Sequence, residues 1–243
     1  MARPAILRNA GIHAAALGLA LALSPPPADA TAGGPVHLGA FAMDATEVTI
    51  GGFRAFAQAT GLVTAAEKAG GGHEWGAGWE RRPGWTVYRP FGSEPDSADE
   101  PAVHVTWQEA ADYCRWRGGR LPTAGEWRRA AYTEMREAPG DGFEKERTYV
   151  YPVGDAPDGM NTNLADPWPR HAPVGATRRG VNGLHDMGGN VWEWLVDRRG
   201  DEALTAGGSW WYGPAQTRAD AMQWKPADFY VVYIGFRCAY DAR

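Results

Sequence analysis

The stretch "HVTWQEAADYCRWRGGRLPTAGEWRRAAY", residues 104–132, carries the clearest regular structure in the chain. Thr106 precedes an apolar-periodic run and Glu109 follows three positions later. In that pattern the threonine and glutamate side chains each satisfy an exposed backbone N–H at a helix start. Ala110, Tyr113, Cys114 and Trp116 then share one face, and Gly118-Gly119 supplies a stop. Thr123 and Glu126 repeat the arrangement, with Trp127, Ala130 and Ala131 on one face. The spacing predicts two consecutive short helices. Downstream the periods vanish, and residues 159–175, 181–201, 205–224 and 230–240 read as short strands and loops.

Upstream, "TEVTIGGFRAFAQATG" (residues 46–61) changes period. Val48 and Ile50 alternate as at a strand end, and Phe53, Phe56 and Ala57 follow helical spacing until Gly61 stops the helix. Residues 69–101, rich in Gly and Trp, show no steady period and are expected to be irregular loop pinned by Trp75, Trp79 and Trp85. The 243 residues suffice for one large domain or two small ones with a real core. Twelve tryptophans among 32 glycines and 18 prolines point to a loop-rich fold packed with large rings. A net charge of −5 argues against a nucleic-acid partner, which would want a basic face.

Arg3 and Arg8 precede the apolar run "AAALGLALAL" (residues 14–23), and "SPPPADA" ends in Ala28-Asp29-Ala30, a small-x-small cleavage pattern. The run is shorter than the ~18 residues of a membrane span. Residues 1–30 therefore read as a secretory signal, with a mature domain over 31–243 that is periplasmic or secreted and has no membrane attachment after cleavage. In an oxidising compartment Cys114 and Cys238 leave two readings: a disulfide or a separate reactive thiol.

The segments "EVTIGGFRAF", "PAVHVTWQEAADYCRWRGGRLPTAGEWRRAAY", "NGLHDMGGNVWEWLVD", "GGSWW" and "GFRCAY" resemble, in order and spacing, the formylglycine-generating enzyme (sulfatase-modifying factor) family across essentially the whole mature chain. The resemblance implies an α+β domain, low in regular secondary structure and C-type-lectin-like. It also implies a Cys114–Cys238 disulfide. The family's usual "IPGG.F.MG" opening is missing. In members that make formylglycine, two cysteines after Gly-Gly-Ser bind copper(I). Here those positions fall on Tyr212 and Thr217, and a phenol or hydroxyl does not replace the soft thiolate that selects copper(I). No copper is expected, and no conversion of a sulfatase cysteine by that mechanism. The family's sulfoxide synthases use iron held by three histidines, two of them on a helix of a separate domain. The six histidines here include no His-x3-His pair. Periplasmic members that lack the cysteines, including one that oxidises a dihydropyoverdine chromophore in siderophore maturation, are similar in signal, missing thiols and Trp-rich segment.

The same resemblance implies structural calcium. One set maps onto the Asn163 and Asp166 side chains with the Leu164 and Trp168 carbonyls; the other maps onto Asp186 and Glu193 with the Gly189 and Val191 carbonyls. Mixed carboxylate and carbonyl oxygens suit that ion. The competing reading is turn hydrogen bonds for Asn163 and Asp166 and an arginine partner for Glu193. For chemistry, Tyr212, Arg218 and Asp220 are the candidate catalytic groups, with no recognisable redox cofactor motif beside them. Trp211, Thr217, Trp75 and Trp79 are candidate substrate contacts, since rings with a few polar groups suit a flat organic ligand. Trp210 is expected in the core. The expected activity is oxidative maturation of a secreted small molecule; the rival expectation is a non-catalytic module that binds a ligand or partner protein.

Overall fold

The computed structural model describes residues 34–242, so the signal expected over 1–30 lies outside the described residues. The helix starts at Thr106 and Thr123 fall where the sequence places them. Helix α1 (Ile50–Thr60) is capped by Thr49 and ended by Gly61, whose φ of 71° suits a residue without Cβ. Helices α2 (Ala65–Lys68), α3 (Trp107–Trp116) and α4 (Ala124–Tyr132) each begin with a reciprocal Thr/Glu box: Thr64 with Glu67, Thr106 with Glu109, Thr123 with Glu126. Glu109 also accepts the Ala65 N–H at 2.7 Å, so the box of α3 fixes the start of α2.

Strands β1 (Pro35–His37) and β2 (Phe41–Asp44) pair with β9 (Ala239–Asp241) in the order β1-β2-β9, all antiparallel, which closes the two ends of the described chain on each other. A second sheet has the order β7-β6-β5-β8, from β5 (Trp192–Arg199), β6 (Glu202–Ala206), β7 (Gln223–Pro226) and β8 (Ile234–Gly235), with only β5 and β8 parallel. The α+β expectation, with little regular structure, holds. Two expectations do not. Val48 and Ile50 form no strand: both are buried, and Ile50 opens α1 because Thr49 caps there. Residues 69–101 are not wholly irregular either, since His73–Trp75 (β3) and Trp79–Arg81 (β4) form a hairpin.

Strand alternation on β5 serves two cores. Trp192 and Trp194 join Phe53, Tyr113 and Phe236 in one, and Leu195 joins Trp127, Tyr132 and Met43 in the other. Between them Glu193, fully buried, receives Arg237 Nε and Nη2 at 2.8 Å each and Trp127 Nε1 at 2.8 Å. Arg237 donates further to the Asp44 and His185 carbonyls. Next to it Cys238 is bonded to Cys114, 124 positions away, with Cα atoms 5.4 Å apart.

The loop over 69–101 is held by a buried histidine. His104, at φ 58°, sets Nε2 2.9 Å from the Pro90 carbonyl and Nδ1 3.5 Å from the Tyr230 carbonyl. Burial, opposed by those two carbonyls, lowers its pKa to about 4, so at neutral pH the ring is neutral and Nε2–H donates to Pro90.

Replacing Arg237 by Met should destabilise the fold by about 3–5 kcal/mol, because Glu193 is left buried without its counter-charge. Thermal melts should fall by on the order of 10 °C, and the double variant Glu193→Leu/Arg237→Met should recover part of the loss. His104 titrates near 6.5 when unfolded and about 4 when folded. Between those values the unfolded chain binds more protons. The contribution is therefore complete above pH 6.5 and lost as pH falls toward 4, by roughly 3 kcal/mol in total. Denaturant titrations across pH 4–7 should show a flatter slope for His104→Asn than for the unaltered chain.

Candidate functional site

The segment after β6 turns sharply at Gly207 and Gly208, whose φ values of 97° and 74° favour residues without a side chain. The turn sends Trp210 inward, 8% exposed, with its N–H on the Asn190 carbonyl at 2.9 Å. Trp211 points outward and is 42% exposed. Both rings lie 5.7 Å from the buried ring of Tyr233. Tyr233 Oη in turn accepts the Trp75 N–H at 2.9 Å, which fixes the β3–β4 hairpin beside it. Trp79 meets Trp75 at 5.2 Å, Phe229 at 4.7 Å and Tyr233 at 6.5 Å. The result is an aromatic band from Trp75 to Trp211 in which Trp75 and Trp79 are each 45% exposed. Of the three rings expected to pin the long loop, Trp85 does so, against Phe91 and His104.

Trp210 and Trp211 also wall a groove of about 480 Å³, whose other side is the 162–169 loop with Asn163, Asp166 and Trp168. Across Trp168 lies a second cavity of about 480 Å³ lined by Phe91, Arg170, Glu100 and His171. There His171 Nε2 sits 2.8 Å from Glu100 Oε2. Sequence reasoning did not single out this buried pair, since its members stand 71 positions apart.

The expected catalytic trio is not one constellation. Tyr212 packs edge-on to Trp192 at 5.7 Å, and burial raises its pKa, so its hydroxyl keeps its proton at neutral pH. Thr217 is fully buried, donates to the Pro214 carbonyl and accepts the Tyr132 hydroxyl on its own carbonyl. A buried, bonded hydroxyl does not contact a ligand. Arg218 and Asp220 are exposed and paired loosely at 3.7 Å. The residue between them, Ala219, lies against Arg128 and Tyr132 of α4, so this pair faces the α4 side and not Trp192. The 3₁₀ turn Pro214–Thr217 separates the two halves. Trp75, Trp79 and Trp211, by contrast, are brought together.

The calcium sets differ in fit. At the first, Asp166 accepts the Thr162 and Trp168 N–H groups at 3.1 and 2.8 Å, as in an ordinary turn, and Asn163 and Leu164 are exposed. This leaves a carboxylate, an amide and two carbonyls, hard oxygens that suit calcium with water completing the shell. At the second, Asp186 accepts from Gly175 N and Thr177 Oγ1, and both oxygens of Glu193 are held by Arg237. The arginine already supplies the positive charge there, and the set fits a metal poorly. Gly189 and Val191 lie in the same turn, Gly189 against Asn161. Among the described residues no three His, Cys, Asp or Glu side chains converge as a metal cluster. Both cysteines are joined to each other, so neither offers a thiolate.

A family model described as the sulfatase-modifying factor enzyme 1-like domain matches residues 18–242. The formylglycine-generating enzyme of Thermomonospora curvata is 29% identical over 253 aligned positions, covering 85% of this chain and 84% of that protein. Hercynine oxygenase of Mycobacterium tuberculosis is 33% identical over 184 positions, covering 66% of this chain but only 41% of its own length. Among solved structures PvdO from Pseudomonas aeruginosa superposes with a TM-score of 0.60 at 21% identity, covering 83% of this chain and 80% of its own. On the match over nearly the whole chain, this protein belongs to the sulfatase-modifying factor enzyme 1-like family and has a fold resembling that of PvdO.

Proposed function

We propose that the protein is an exported enzyme of oxidative maturation that acts on a flat ring in a secreted small molecule, a pyoverdine-type siderophore chromophore being the model substrate. The observation that carries this reading is the band of three half-exposed indoles, Trp75, Trp79 and Trp211, held by the buried Tyr233 next to the Trp210–Trp211 groove. Rigid rings bind planar ligands at low entropic cost. The relatives support an oxidative role: hercynine oxygenase is by name an oxygenase. Oxidation of a dihydro ring removes two protons and two electrons, and with dioxygen as acceptor these leave as hydrogen peroxide. Tyr212, protonated at neutral pH, serves as a hydrogen-bond donor to the ring rather than as the base. Export rests on the leader pattern of residues 1–30; among the described residues no helix is long and apolar enough to cross a membrane.

A second reading has its own support. Thr217 is buried and Arg218 and Asp220 face α4, which leaves Tyr212 as the one member of the expected catalytic trio packed on Trp192. A non-catalytic ligand-binding module needs no more than that. Structural calcium, in either reading, is assigned to the Asn163, Leu164, Asp166 and Trp168 oxygens.

Purified protein given a dihydropyoverdine-type precursor under air should consume oxygen and form peroxide in equal amounts. Binding by calorimetry without turnover would favour the module. Trp79→Ala and Trp211→Ala should each weaken binding by about tenfold or more. Chelation with EGTA should lower the melting temperature, with Asp166→Ala removing the difference; unchanged melting on chelation counts against the calcium assignment.

A further inference from the structure

Lys225, on strand β7, lies over the face of Trp192 with Nζ 5.2 Å from the ring centroid. Among the described residues its one hydrogen-bond partner is Gln223 Oε1 at 2.7 Å, a neutral acceptor, and no carboxylate pairs with it. Burial lowers its pKa, the mark of an ammonium without a compensating charge. Trp192 itself is completely buried, yet its Nε1–H has no partner. On the same ring stands Tyr212, whose hydroxyl makes no hydrogen bond among the described residues. Three donors of different kinds thus gather about one indole, and the one acceptor that meets them, Gln223 Oε1 on Lys225, is neutral. An orphaned buried donor costs about 1–3 kcal/mol, so such a grouping is more economical when an outside acceptor completes it.

We propose that Lys225 is the counter-charge for the ligand, and that the half-buried edge formed by Tyr212 and Lys225 over Trp192 receives a carboxylate carried on the flat ring. Lys225 supplies the charge and Tyr212 a hydrogen bond. The inference rests on the aromatic-ligand reading above and narrows it to anionic rings. Lys225 acts as a specificity-determining residue and takes no part in electron transfer.

Calorimetry with two matched probes, 3,4-dihydroxybenzoate and catechol, isolates the carboxylate. The unaltered protein should bind the benzoate about tenfold or more tightly than catechol, the usual worth of one charge-assisted bond. Lys225→Met should collapse that ratio toward one, and Lys225→Arg should keep most of it. Catechol binding by the Met variant reports that the aromatic face is still built. Equal affinities in the unaltered protein, or a ratio that survives Lys225→Met, overturn the inference while leaving the aromatic-ligand reading intact. Failure of both probes to bind the unaltered protein overturns both.

Discussion

The buried pair between Glu193 and Arg237 is the constraint on which the rest of the structure depends. It joins the central strand β5 to the segment that leads into β9, and through Trp127 it also holds α4. Because the guanidinium reaches the Asp44 and His185 carbonyls as well, four separate parts of the chain converge on one charge. The neighbouring Cys114–Cys238 bond adds α3. A chain with short strands and much loop has few ladder hydrogen bonds to define its topology. A buried charge that must be fully satisfied does that work instead, since any other arrangement strands it. Glu47 belongs to the same region. Burial, reinforced by the charges of Asp186 and Glu193, holds its carboxyl well above the usual range, so the single guanidinium serves the glutamate that needs it.

Trp192 lies one residue from Glu193 on β5 and turns its ring the other way, toward Tyr212 and Lys225. The aromatic band is built outward from there, through Trp210 and Tyr233 to indoles that no core requires. The two positions expected to correspond to a family thiol pair have separate surroundings: Tyr212 packs on Trp192, and Thr217 is inside the fold.

Much of the local structure was legible in the residues. The Thr-x-x-Glu boxes of α3 and α4, the Gly61 stop and the inward Trp210 follow from side-chain chemistry within a few positions. The third box, Thr64-Ala-Ala-Glu67, obeys the same rule, but a helix of four residues has no periodicity to accompany it. The β3–β4 hairpin escaped for a different reason. Its strands have three residues each, too short to show alternation, and they are held by Tyr233 from far along the chain.

The sequence by itself determined the family, the starts of α3 and α4 and the absence of a thiol pair at positions 212 and 217, because each of these is a matter of residue identity at fixed local spacing. Only the tertiary structure decided that Arg237 is the partner of Glu193, that Trp75, Trp79 and Trp211 form one surface, and that Arg218 and Asp220 stand apart from Tyr212. Those are contacts between segments distant along the chain. Side-chain direction there depends on how the chain leaves turns such as Gly207-Gly208, after which Trp210 lies in the core and Trp211 in solvent.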